Sequence, residues 1–199
     1  MKTTEDKDIL LVNRILRGET PAYRELVNRH KDYAFTIAYR ILNNREDAEE
    51  AAQDAFVRAF NALPNFNRES KFTTWFYRII INAALTIQQK KKIATENIDN
   101  AHSEAHILSM RTPAEMGGDS TENLKRKEQR FYIHQALKQL MPDDVTMITL
   151  FYLKEQSLDE IAEIVGIEAN TVKVKLHRAR KRLAEVMQSM LKSETQSLL

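Results

Sequence analysis

Residues Ser157 to Arg182 read SLDEIAEIVGIEANTVKVKLHRARKR. Two short helical patterns meet at Gly166, where the chain must leave a helix with positive φ. Ser157, with Glu160 three residues later, forms a capping box at the start of the first pattern. Ile161, Ile164 and Val165 make its buried stripe, and Ala162 is small where a second helix must approach closely. Asn170 is the expected cap of a second helix that begins at Thr171. Val172, Leu176, Ala179 and Leu183 recur at helical spacing and face inward. Thr171, Lys173, Lys175, His177, Arg178 and Lys181 are left outside. Six Lys or Arg fall between Lys173 and Arg182 with no acid among them. The pattern is a helix-turn-helix with a basic second helix, able to meet base edges and phosphates in a major groove. A solvated basic face would explain the charges, but not the Ala, Gly and Val positions that fit the turn.

Working outward, the 199 residues are enough for one or two domains. Gly and Pro number only four each, and helix formers abound, so the fold class expected is all-α. The chain has no cysteine, which excludes disulfides and thiolate metal sites and is compatible with a reducing cytoplasm. The start, MKTTEDKDILLVNRILRGE, is charged and does not read as a signal peptide. No apolar run approaches a membrane span, so no membrane insertion is expected. A net charge of +2 says little about partners, but its distribution does. Acids gather at 46–54, and bases at 88–92 and 173–182.

The spacing predicts a first helix over about 5–17, stopped by Gly18, then a second capped by Thr20 with Pro21 at its first position. Leu26, Ala34, Ile37, Ala38 and Ile41 form the inner face of that second helix. Asn44 caps a third helix, NREDAEEAAQDAFVRAFNAL, whose acids Glu46, Asp47, Glu49 and Glu50 suit its N-terminal dipole. After the loop PNFNRES comes a fourth, FTTWFYRIIINAALTIQQKKK. Residues 93–121 lose periodicity and read as a flexible linker. A second domain then starts near Glu122 with ENLKRKEQRFYIHQALKQL, followed by a helix opened by Pro142. The architecture expected is two helical domains joined by a flexible linker, the C-terminal one holding the helix-turn-helix.

Three features of the first half invite a function. Glu50, Gln53, Asp54 and Arg58 lie on adjoining turns beside Phe56 and Phe60, a face suited to another helix, although a solvated surface helix fits it too. Asn65, Asn67, Arg68 and Lys71 interleave with Phe66, Phe72, Trp75, Phe76 and Tyr77. Aromatics beside bases and amides can hold unpaired nucleotides. Helical spacing makes Phe72, Trp75, Phe76 and Ile79 core instead, whereas the loop Asn65 to Ser70 is expected outside. Arg78, Asn82, Gln88, Gln89 and Lys90 to Lys92 form a polar-to-basic track that either follows phosphates or complements a helix C-terminus.

In this order the pieces resemble a bacterial sigma factor of the extracytoplasmic-function (ECF) group, over nearly the whole chain. EAAQDAFVRAFNAL resembles the helix that docks on the coiled coil of the polymerase β′ subunit. FNRESKFTTWFYRIIINAAL resembles the segment that melts the promoter and reads its −10 element. ALKQLMPDDVTMITLFYLKEQSLDEIAEIVGIEANTVKVKLHRARKRL resembles the −35-reading domain. The resemblance implies sigma region 2 over 1–92, a linker over 93–121 and sigma region 4 over 122–199. It implies core-polymerase contacts for Glu50, Gln53, Asp54, Phe56 and Arg58. It implies −10 contacts for Asn65, Asn67, Arg68, Lys71, Arg78 and Asn82, and −35 contacts for Thr171, Lys173, Lys175, His177 and Arg178. The implied partners are core RNA polymerase, through its β′ coiled coil and β flap, promoter DNA and an anti-sigma factor, all in the cytoplasm. The chain departs from the family at Arg68, where Gly is usual, at Thr86, where an acid is usual, and at Gln88 and Gln89, near which arginines are usual.

Two other classes compete. A helix-turn-helix repressor or activator would bind duplex operators alone, usually as a dimer, but the chain has a linker and no obvious dimer seam. An enzyme would need a nucleophile with its base or a phosphate loop, and the five His are scattered. His102 and His106 have the spacing of helical metal ligands, with only Glu104 nearby to add to them. No cofactor, resident metal or catalytic residue is expected.

Overall fold

The structure, a computed structural model, describes residues 4–96, 121–153 and 155–197. Their regular structure is entirely helical. The first helix, α1 (Thr4–Leu16), has Glu5 and Asp6 in its first turn and Arg14 in its last, each favoured by the dipole. Gly18, at φ +89, turns the chain into α2 (Thr20–Leu42). Thr20 does not cap α2 as the sequence suggested. Glu19 is the N-cap, without a side-chain cap bond, and its carboxylate is 2.8 Å from Arg14 Nε. Thr20 and Pro21 fill the first two helical positions, where a missing N–H costs nothing.

Asn43 ends α2 at φ 51, donating its N–H to the Tyr39 carbonyl, and Asn44 starts α3 (Arg45–Ala62) by accepting from the Asp47 N–H at 3.0 Å. The buried side of α3 is Ala48, Ala51, Ala52, Ala55 and Ala59. So many small residues let α2 and α4 (Phe72–Glu96) approach closely. Phe72, Phe76, Ile80 and Leu63 fill the centre with almost no exposure. Each such side chain contributes about 1.5–3 kcal/mol of burial. Asp8 is wholly buried among them. It accepts from Arg29 Nε at 2.9 Å, and its other oxygen lies 3.1 Å from His30 Nε2, out of line for a hydrogen bond. Burial of a carboxylate demands such partners.

The linker reading falls mainly on residues outside those described. Its ends differ from expectation: α4 continues to Glu96, and α5 (Thr121–Lys138) begins at Thr121. No helix breaker stands between Lys92 and Glu96, so the ladder simply continues. The rest is α6 (Pro142–Ile148), a π turn at 149–153, α7 (Leu158–Val165) and α8 (Ala169–Ser197). Asp144, only 5% exposed, is paired with Arg182 at 2.6 Å, tying α6 to α8. Met147, Leu150, Ile161, Ile164, Val172 and Leu176 join the same buried cluster as α1–α4. The two helical units therefore share an apolar seam in which α7 packs on α4 and α6 on α2.

Candidate functional site

The C-terminal motif has the geometry its sequence calls for. Ser157 Oγ accepts from the Glu160 N–H at 3.2 Å, and Glu160 Oε2 accepts from the Ser157 N–H at 2.8 Å. Gly166 stands at φ 72 and donates to the Ala162 carbonyl. Open space surrounds its Cα, so the backbone angle alone demands glycine. Asn170 is not the cap. The helix already runs from Ala169, with the Val172 N–H bonded to the Glu168 carbonyl. Ala169 is a strong helix former, which lets α8 start a turn-fraction early. Val172, Leu176 and Ala179 are buried, and Thr171, Lys173, His177 and Arg178 are exposed. Lys175 is half-exposed, with its ammonium 3.4 Å from Asp143. Arg180 lies over the rings of Phe151 and Tyr152 and Arg182 is held by Asp144, so part of the basic run is structural.

On α3, Glu50, Gln53 and Arg58 are exposed, and Arg58 bonds Asp54 at 2.7 Å. Phe56 is turned partly inward, 4.8 Å from the Phe76 ring, and its carbonyl accepts from the Tyr23 hydroxyl at 2.8 Å. The exposed apolar residues of this face are Val57, 59% exposed, and Phe60, 48% exposed. Val57 was missed from the sequence, though it follows Gln53 by four residues and so shares its face. Phe60, Tyr23 and Ile15 line a pocket of about 310 Å³ at the edge of α3.

The loop before α4 is split between core and solvent. Phe66, expected outside with its neighbours, is buried 5.0 Å from Trp75 and 6.0 Å from Phe72. Its ring is the only large apolar group between Pro64 and Ser70, and burying it closes the end of the core. Asn65, Asn67 and Arg68 remain exposed. Trp75 is half-buried and Tyr77 buried; burial, then Tyr33 and Asp8, push the Tyr77 phenol up to about 12. Arg78 and Asn82 are exposed one turn apart on α4. Further along α4, Lys91 pairs with Asp47 at 2.5 Å.

Lys71 at the end of this loop meets Glu160 of α7 at 2.6 Å. That hydrogen bond holds the Lys71 ammonium above the usual lysine range. Burial pushes the Glu160 carboxyl up, but the bonds from Lys71 and Ser157 outweigh it and leave it below the usual range. Asn82 and Lys175 line one cleft of about 130 Å³ with Leu85, Asp143, Ile164 and Ile167. Residues assigned to two separate DNA elements thus face each other across the seam. Among the described residues no group of His, Cys, Asp or Glu could hold a metal, and His102 and His106 lie outside them. No described helix is long and apolar enough to cross a membrane.

Residues 26–92 match Sigma-70 region 2, and residues 130–183 match Sigma-70, region 4. ECF RNA polymerase sigma factor SigW of Bacillus subtilis is 32% identical over 180 residues, spanning 90% of this chain and 96% of that protein. The chain belongs to the ECF sigma-factor family. RNA polymerase sigma-H factor of Pseudomonas aeruginosa is 28% identical, over 95% of this chain and 98% of its own length. ECF RNA polymerase sigma-E factor of Escherichia coli K12 is 29% identical, over 93% and 96%. Among solved structures, CnrH in complex with the cytosolic domain of CnrY shares the fold, with a TM-score of 0.65 and 22% identity over 92% of this chain and 99% of that one. Sigma factor RpoE in complex with the anti-sigma factor NepR from Bartonella quintana gives 0.66 and 21% identity, over 83% and 96%. As an ECF sigma factor the chain initiates transcription with RNA polymerase.

Proposed function

We propose that this sigma factor docks on core RNA polymerase through α3 and reads its promoter with two separate surfaces. Residues 1–92 act as region 2, 93–121 as the linker and 122–199 as region 4. Glu50, Gln53, Asp54, Phe56 and Arg58 carry the docking on the β′ coiled coil, and region 4 meets the β flap. Asn65, Asn67, Arg68, Lys71, Arg78 and Asn82 serve the −10 element. Thr171, Lys173, Lys175, His177 and Arg178 serve the −35 element. The observation that carries this reading is the pairing, in one chain, of a region 2 match with a basic helix-turn-helix in a region 4 match.

The physical sequence of events follows. A duplex hides its base-pairing edges, so reading a −10 strand requires unpaired bases, at roughly a few kcal/mol for each one extruded. Polymerase docking and −35 binding offset that cost. The work is recognition and strand separation, with no bond made or broken by the sigma factor itself, and its place is the cytoplasm. The solved relatives held by CnrY and NepR extend the reading to an anti-sigma partner, which would cover the polymerase and DNA faces together. Footprinting over a salt series, with and without core polymerase, tests the whole. Sequence-specific protection of both elements only with core supports it. Tight protection by the chain alone would favour an operator-binding regulator.

A further inference from the structure

The loop before α4 holds an arginine in a conformation that side chains avoid. Arg68 has φ 61, in the left-handed region where Cβ crowds the backbone. Asn43 is also left-handed, but it is a helix C-cap whose N–H bonds the Tyr39 carbonyl, and Asn tolerates the region well. Arg68 has neither advantage. What holds it is the far end of its side chain: Nη2 donates to Oδ1 of Asn13 on α1. Phe66, two residues earlier, is seated against Trp75 and Phe72, and Asn67 Oδ1 accepts a long bond, 3.4 Å, from the Glu69 N–H. The left-handed turn is clamped on one side by an apolar anchor and on the other by α1.

We infer that Asn13 is a positioning residue for −10 recognition, acting through Arg68 to hold residues 65–71 in the shape that offers Asn65 and Asn67 to an unpaired base. This rests on the reading of the loop as the −10 contact. It gives Arg68 a different task from the one the resemblance assigns: its side chain anchors the backbone and does not touch DNA. Asn13 lies outside the residues matched to region 2, which begin at 26. The physical logic is preorganisation. A loop that must find a strained turn at each encounter loses affinity in proportion to the time it spends elsewhere. Discrimination among −10 bases suffers, while docking on polymerase through α3 does not.

The test uses the full chain with core polymerase, measuring promoter opening on a cognate promoter and on versions with single −10 bases changed. Asn13→Ala introduces a better helix former, so α1 keeps its stability. The expected result is a roughly five- to thirtyfold loss of opening, the scale of an unsupported left-handed residue. Discrimination among −10 bases narrows and core affinity is unchanged. Asn13→Asp, which keeps the acceptor, restores opening. In an Arg68→Gly background the turn needs no anchor, so Asn13→Ala adds no further loss. Undiminished discrimination in Asn13→Ala, or an equal loss in the Arg68→Gly background, overturns the inference. If Asn65→Ala and Asn67→Ala both keep full −10 discrimination, the loop reading itself falls, and this inference with it.

Discussion

The Lys71 ammonium lies 2.6 Å from the Glu160 carboxylate, joining the loop before α4 to the first helix of the helix-turn-helix. The same Glu160 completes the capping box of α7 through the Ser157 N–H. One carboxylate therefore stabilises the motif locally and holds it against the other helical unit. In this arrangement it occupies Lys71 where the proposed reading has a DNA phosphate or base.

Glu160→Gln separates these two tasks, because Gln still caps but carries no charge. An exposed ion pair is worth up to about 1 kcal/mol, so the two units should part more often by a factor of up to about five. The chain has no cysteine, so dye pairs at Arg45→Cys and Lys192→Cys label it cleanly. Energy transfer between them should fall in Glu160→Gln, and added salt should reproduce the fall in the parent. Equal transfer in both chains would show that the pair holds nothing.

The exposed face of α3 should tolerate change without loss of folding. Asp54→Lys reverses one charge, and Val57→Ser with Phe60→Ser removes the apolar pair exposed beside it. Each variant should weaken core-polymerase affinity by about tenfold or more, as truncated interface anchors do. Helical circular dichroism should be retained. Affinity equal to the parent's in all of them would place docking elsewhere.

On α8, base and phosphate contacts separate by salt. If Arg178 reads a base, Arg178→Ala relaxes selection at one −35 position by about 1–3 kcal/mol. If Lys173 meets a phosphate, Lys173→Ala weakens all sequences alike and lowers the salt slope by about one. Promoter activity that survives both changes intact would remove α8 from the major groove.

His134 supplies a pH dependence of stability. Its Nδ1 is 3.3 Å from Arg40 Nη1 and its ring stacks on Tyr39 at 5.7 Å. Burial, then the charges of Arg40 and Lys138, pull the imidazole down from 6.5 to about 4. Between those values the unfolded chain takes a proton that the folded chain refuses, so stability falls as pH falls through that window. The ring is half-exposed, so screening limits the loss to about 1 kcal/mol. Urea midpoints at about pH 7.5 and about pH 4.5 should differ more in the parent than in His134→Gln. An identical difference in the two would dismiss His134 as the cause.

Much of this was legible beforehand. Ser157, Glu160, Gly166 and Asn44 declare themselves because caps and left-handed turns are local, needing only residues within a few positions. Thr20 and Asn170 misled for the same reason: good capping residues stand next to several candidate starts, and nearby backbone bonds decide which start is used. Val57 escaped because one amphipathic helix looks alike whether its apolar edge is buried or left outside.

The sequence by itself determined an all-helical chain, the helix-turn-helix and the order of its pieces, because helical period, caps and charge runs act over a few turns. Only the tertiary structure decided what meets across long separations. It placed Phe66 in the core, Asp8 beside Arg29 and His30, Arg68 on Asn13 and Lys71 on Glu160. No local pattern encodes such pairs. They exist because packing α7 against α4 and α1 against the loop buries apolar surface, and the polar groups carried along must then find partners where they land.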